Sequence, residues 1–360
     1  MASWRLNMVG FKPLSLLLIS LLAGLSTAAA LGQGPGDADK PISARLDRPY
    51  SLALQDVDAE EAGETEEFVE YEIYSEETTE TVFEEEGEPL LWKGFLYGDR
   101  HFRHKPRPIG SPLYFEDPFI NTDIRAFYLW HKFSKKTAIG GGDMSIWGMQ
   151  ARLALTDRLQ FIVTADGYTK MNSGLLTGDE GWNDLALGLK YALWVDHEDD
   201  FILSAGLRWR LSNGTAGILQ GNVDELSPFV TAYKGWGKWG FMADVAGRIP
   251  MDFNEGNCIV SWNTHVNYEL FENFYPLMEV HGLHYLSNGD RHELDVGGLD
   301  YANIGSDDVA GHSAFWATAG FHWNITEHLA WSAGWGFPLQ SRRNNDIFDQ
   351  RATMQFQVTF

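Results

Sequence analysis

The stretch Arg351-Ala-Thr-Met-Gln-Phe-Gln-Val-Thr-Phe360 alternates without a break. Ala352, Met354, Phe356, Val358 and Phe360 are apolar, and Arg351, Thr353, Gln355, Gln357 and Thr359 are polar. Successive side chains of a strand point to opposite faces, so this stretch predicts a strand with one greasy and one wet face.

The same pattern recurs upstream. From about residue 122 the sequence predicts twelve strands, at 122–132, 143–155, 158–169, 182–194, 200–211, 227–236, 239–250, 258–270, 273–286, 312–324, 328–338 and 350–360. Leu185, Leu187, Leu189, Tyr191 and Leu193 oppose Asp184, Ala186, Gly188, Lys190 and Ala192. Turns after the even strands are tight, as at Thr156-Asp157 and Gly237-Lys238, whereas those after the odd strands are mostly longer, up to 287–311. Loops sorted by side are the mark of an up-and-down barrel, and a soluble sandwich has no reason to sort them. Trp130, Trp147, Trp182, Trp194, Trp209, Trp236, Trp239, Trp323 and Trp335 fall toward strand ends. Indole rings favour the headgroup level of a bilayer, so two aromatic girdles are expected. The fold class expected for 122–360 is therefore all-β: a transmembrane up-and-down antiparallel β-barrel of about twelve strands.

The other end of the chain sets the compartment. Arg5 and Lys12 precede an apolar run from Leu14 to Leu25, and Ala28-x-Ala30 follows. That order describes a cleaved secretory signal over 1–30, too short for a membrane anchor. Cys258 is the single cysteine, which rules out an intrachain disulfide framework. Residues 31–91 read as a disordered acidic tether. Between Asp56 and Glu88 stand 16 acids and no Lys or Arg, which leaves 34 acids against 27 bases elsewhere. Such a block repels itself and cannot fold alone. Phe68, Tyr71, Tyr74 and Phe83 among these acids could dock a basic periplasmic partner. Residues 92–121 reverse the sign, with Arg100, His101, Arg103, His104, Lys105 and Arg107 among Trp92, Phe95, Tyr97 and Phe102. Pro106, Pro108 and Pro112 deny it regular structure, and it could enter the lumen as a plug or lie at its mouth.

Taking the polar parity of each strand as inward, the pore-lining candidates are Arg125, Arg152, Asp184, Lys190, Arg208, Arg210, Arg248, Glu269, Glu279 and His281. Both signs occur, so the lumen is either a water-filled pore or one closed by ion pairs. Arg208 and Arg210, two apart on one face, are the candidate anion-selective constriction. His265, His281 and His322 share the inward parity on neighbouring strands and are weak metal candidates beside the reading as hydrogen-bonded histidines. No cofactor is expected. His284-Tyr-Leu-Ser287 near a strand end is similar to the His–Ser arrangement of outer-membrane phospholipase A, but that family spaces the two by two residues. A spacing of three puts them on opposite faces, so no catalytic residue is assigned.

The C-terminal strand resembles the signal by which bacterial outer-membrane barrels are inserted. That resemblance implies recognition of Phe356, Val358 and Phe360 by the barrel-assembly machinery, and an outer-membrane lipid surrounding. A wider resemblance covers most of 112–360. Ser111-Pro-Leu-Tyr-Phe-Glu-Asp-Pro-Phe119, Gly140-Gly-Gly-Asp143 and Gly181-Trp-Asn-Asp-Leu-Ala-Leu-Gly-Leu-Lys-Tyr191 look like the phenol-degradation (meta-pathway) transporter family of outer-membrane proteins. The resemblance implies passage of small, often apolar molecules and supplies no binding residues. The acidic tether is not part of that family's pattern.

The leading expectation is a passive transporter or porin-like channel for small solutes, hydrophobic or aromatic ones included. The alternative is a structural barrel with a shut lumen whose acidic tail anchors a periplasmic partner, and a surface lipid hydrolase is a remote third. No nucleic-acid partner is expected.

Overall fold

The computed structural model describes residues 94–137, 139–174, 179–217, 222–340 and 348–360. The expected signal and acidic tether lie outside them. Thirteen strands follow one another: β1 (Asp123–Phe133), β2 (Gly142–Ala154), β3 (Leu159–Ser173), β4 (Asp179–Trp182), β5 (Leu185–Asp196), β6 (Phe201–Leu211), β7 (Glu225–Trp236), β8 (Trp239–Pro250), β9 (Ile259–Tyr268), β10 (Phe274–Tyr285), β11 (Ser313–Asn324), β12 (Leu329–Pro338) and β13 (Phe348–Thr359). The short β4 pairs with β3 alone. The other twelve are antiparallel neighbours in a ring that closes where β1 meets β13, with Ile124 opposite Val358 and Arg125 opposite Gln357. Closure leaves the twelve-strand ring no free edge, as a lipid environment demands.

The twelve barrel strands are those expected, with ends shifted by a few residues. The addition is the outward continuation of β3, where Lys170 faces Glu180 across the β4 pairing. Gly167 makes it possible. Its φ is +81°, and a Cβ there would lie 1.7 Å from the Trp147 carbonyl oxygen. Only glycine fits so close an approach at that φ, and the register between β2 and β3 slips beside it.

Burial is inverted relative to a soluble protein. Leu189, Leu193, Trp209, Val230, Met278, Trp335 and Phe356 are exposed, while Lys190, Arg248, Glu225 and Glu279 are fully buried. Eight of the nine girdle tryptophans named above are exposed, Trp130 being half-buried. An exposed apolar band around a charged interior would aggregate in water and is what hydrocarbon requires. The short turns, the start of β1 and the end of β13 share one end of the barrel, called here the short-turn end, and the longer loops leave from the other.

Leu189 lies near the middle of β5 on the outer face. Leu189→Arg should cost about 2–4 kcal/mol in a denaturant titration of folding into bilayers. A cost near zero would contradict the lipid-facing assignment.

Candidate functional site: the occupied lumen

A twelve-stranded ring is wider than the eight-stranded size that wall side chains can fill unaided. Two segments fill it here. The first, residues 94–121, makes a hairpin-shaped excursion that starts and finishes at the short-turn end. The Asp99 amide donates to the Ile120 carbonyl at 2.7 Å where the two arms meet. The tip passes through Gly110 and Tyr114. The second is the long loop 286–312, which turns Val296, Leu299, Tyr301, Ala302 and Ile304 inward from the opposite end.

The lumen is layered as a result. At the short-turn end Phe102, Phe119 and Ile120 of the excursion pack against Ala192, Ile202, Tyr233 and Met242 of the wall. At the long-loop end Phe127, Leu129, Phe133, Met144, Ile146, Ile259, Leu283, Tyr285, Trp316 and Phe348 form an apolar layer packed against Leu113 and Tyr114 of the excursion and against the long loop. The inward faces of β1 and β2 thus change from charged to apolar along their length, which the polar-parity reading did not anticipate.

Between the two lies a charged belt. The Arg152 guanidinium grips Glu116 with two parallel bonds, Nε to Oε1 at 2.9 Å and Nη2 to Oε2 at 2.8 Å. Lys190 Nζ donates to the same Oε1 at 3.0 Å, and Arg125 Nη2 to Asp117 Oδ2 at 2.7 Å. Asp123 is the wall's own acid here, bonded to Arg125. Burial alone would raise the Glu116 and Asp117 carboxyls. Arg152 and Lys190 outweigh it at Glu116, Arg125 and Lys190 do so at Asp117, and both stay well below the usual carboxylate range. On the facing wall the charges are reversed. Glu279 accepts the Ile109 and Gly110 amides at 3.0 and 2.6 Å and His265 Nδ1 at 2.7 Å. The excursion is therefore matched twice, acids toward cations and amide donors toward an acid.

Backbone carbonyls are gripped as well. Arg351 donates to Gly110, Gln150 to Pro112, Arg208 to Leu113, Lys190 to Asp117, Ser204 to Pro118 and Gln160 to Asn121. The two filling segments meet at Asp300, which accepts Arg351 Nη2 at 2.6 Å and the Ser111 hydroxyl at 2.6 Å.

Nine of the ten pore-lining candidates are buried inward; Glu269 lies in the turn after β9 and is half-buried. Arg208 and Arg210 do not act as a pair. Arg208 faces the Tyr114 and Phe229 rings and Leu113, whereas Arg210 Nη2 is 2.6 Å from Glu225 Oε2, which also neutralises Arg248. Asp184 closes the outer turn by accepting the Gly214 amide. His265 and His281 flank Glu279, His281 at 3.4 Å, while His322 bonds Ser332 and Asn324 elsewhere. Among the described residues no metal-binding cluster forms. Sequence reasoning missed Asp123, Glu225, Asp300 and Arg351, and above all Glu116 and Asp117, although these two stand as adjacent acids in a mostly basic and aromatic segment.

His284 does not engage Ser287, whose hydroxyl accepts the Cys258 amide. It faces Ser313 across β11, Nδ1 to Oγ 2.7 Å, and Trp262 Nε1 donates to its Nε2 at 3.2 Å. With Nε2 accepting, the neutral ring carries its proton on Nδ1 and donates to the serine. A general base needs the opposite arrangement.

No family model and no curated protein matches the sequence. Among solved structures the barrel is similar to the COG4313 outer membrane channel from Pseudomonas putida F1, with 14% identity over 71% of this chain and 100% of that one and a TM-score of 0.51. The NanC porin (11% identity, 66% and 98% covered, TM-score 0.41) and the KdgM porin (8%, 66% and 99%, TM-score 0.37) are more distant. The fold is thus that of a transmembrane barrel like the COG4313 channel.

The two depressed carboxyls stabilise the seated excursion fully above their ordinary values near 4, and that contribution is lost progressively as the pH falls toward their lowered ones. In refolded barrels residues 94–121 should stay seated and resist proteolysis from pH 8 to about 5 and open increasingly below about 4. Opening between pH 7 and 5 would contradict this.

Proposed function

We propose that this chain is an outer-membrane channel for small solutes, held shut in this conformation by residues 94–121 acting as a plug. The observation that carries the reading is the character of the contact between plug and wall. At mid-height the plug is held by hydrogen bonds and ion pairs to a wall of Arg, Lys, Gln, Ser and Glu, a surface that water can solvate once the plug has left. The plug also starts and finishes at one end, so it can withdraw as a unit without threading the barrel. By the loop-length rule that end faces the periplasm.

Membership of the meta-pathway transporter family is supported by the Gly181–Tyr191 pattern, and the apolar layer at the long-loop end suits solutes with an aromatic or aliphatic body. Phe356, Val358 and Phe360 all face outward, as contact with lipid and with the assembly machinery requires. Catalysis is not part of the reading, because the His284–Ser313 pair has the wrong tautomer. The complete filling of the lumen favours a second reading, a permanently closed barrel that serves as an anchor.

Gly110 separates the two. A Cβ on it would lie 2.3 Å from His281 Nε2 and from Thr318 Oγ1 and 2.6 Å from Glu279 Oε2. Gly110→Val should expel the plug while every wall residue stays unchanged. In planar bilayers the full-length variant should show frequent stepwise openings that scale with salt, where the wild type is nearly silent. A correctly folded but silent variant would favour the closed anchor.

A further inference from the structure

The plug's own acids occupy the position of a ligand. With Glu116 and Asp117 in place, Arg125, Arg152 and Lys190 are neutralised. With the plug withdrawn, Arg125 and Arg152 keep the wall carboxylate Asp123 while Lys190 loses both of its acidic partners, and Asp244 on β8, beside Glu116, is the other wall acid described at this height. The three cations stand on β1, β2 and β5, joined through β3, and so form one continuous arc. None can move away from the lumen, because each is fully buried on a rigid strand. Water reaches these cations once the plug has left, but fixed positive charges clustered on one arc of a confined lumen still draw anions to this height.

Geometry narrows the kind of anion. The Arg152 guanidinium is set for a planar, two-oxygen group, which it meets edge-on at 2.9 and 2.8 Å, and Lys190 closes on one of the same oxygens. That fork matches a carboxylate. Above the arc, toward the long-loop end, the wall presents an apolar layer of Phe127, Leu129, Met144, Ile146, Leu283 and Trp316, packed here against Val296, Leu299 and Tyr301 of the long loop, which a passing solute displaces. A carboxylate joined to an apolar body satisfies both layers, the body in the apolar one and the head on the arc.

We propose that the solute class is small carboxylic acids with an apolar body, and that Glu116 and Asp117 are a built-in mimic that holds their site when the channel is shut. This rests on the channel reading. It also makes the plug and the solute competitors for Arg152 and Lys190, so solute acid bound from the long-loop side would weaken the seating of the plug.

The test uses benzoate and its neutral isostere benzamide on the full-length Gly110→Val chain in planar bilayers. The openings should pass chloride several-fold better than potassium. Benzoate should lower the current at concentrations where benzamide has no effect. Adding Arg152→Glu and Lys190→Glu should abolish the benzoate effect and reverse the selectivity. Should Gly110→Val not fold, Glu116→Gln with Asp117→Asn removes the mimic without a steric clash and serves for the same measurements. Openings that are unselective or prefer potassium, or equal action of benzoate and benzamide, would overturn the carboxylate assignment and leave the channel standing. A folded barrel that stays silent in both variants would overturn the channel reading, and this one with it.

Discussion

Twelve strands enclose more space than their own side chains can occupy, and the rest of the molecule answers to that constraint. The lipid-facing half of every strand is committed to apolar residues, so the inward half must be stabilised by something other than a common hydrophobic core. The solution is a transverse charge arrangement. Arg125, Arg152 and Lys190 stand on one wall and Glu279 on the other, with the chain segment between them carrying acids on one side and amide donors on the other. Bidentate, charge-assisted contacts of this kind offset much of the desolvation cost of burying the ions, although Arg152 Nη1 and Arg208 Nη2 are left without a hydrogen-bond partner. The apolar layers at either end exclude water from the belt and strengthen each contact within it.

The outer face was legible because it depends on parity alone. In β5 a reader sees Leu189, Tyr191 and Leu193 against Lys190 and Ala192, and the barrel wall follows. The interior was legible only as wet. Arg208 and Arg210 look like a pair two residues apart, yet their partners come from Leu113 in the plug and from Glu225 on β7. His265, His281 and His322 share a parity, but two of them serve Glu279 and the third stands apart. Pairing across a lumen joins residues far apart in sequence, as with Arg152 and Glu116, and spacing along one strand carries no record of it. The apolar inward positions of β1, Phe127, Leu129 and Phe133, were hidden for a related reason. Their partners lie in a loop that begins some 150 residues later, with Val296 and Leu299 among them.

The excursion of residues 94–121 also shows why a segment rich in proline suits the inside of a barrel. It forms no ladder, so each amide it carries needs an individual partner. Pro106, Pro108, Pro112 and Pro118 carry none, and the exposed demand is correspondingly small. What remains is mainly carbonyl oxygen, which suits a wall of donors.

Seven wall side chains recognise the excursion through main-chain carbonyls, at His104, Gly110, Pro112, Leu113, Asp117, Pro118 and Asn121. Recognition of a path, as opposed to a set of side chains, frees most positions along that path to vary. In related chains the segment could diverge widely while the wall stayed fixed, so long as an acid pair faced the cations and no side chain grew at Gly110. Sequence comparison would then score the segment as a poorly constrained linker, although seven of its carbonyls and two of its acids fix it inside the barrel.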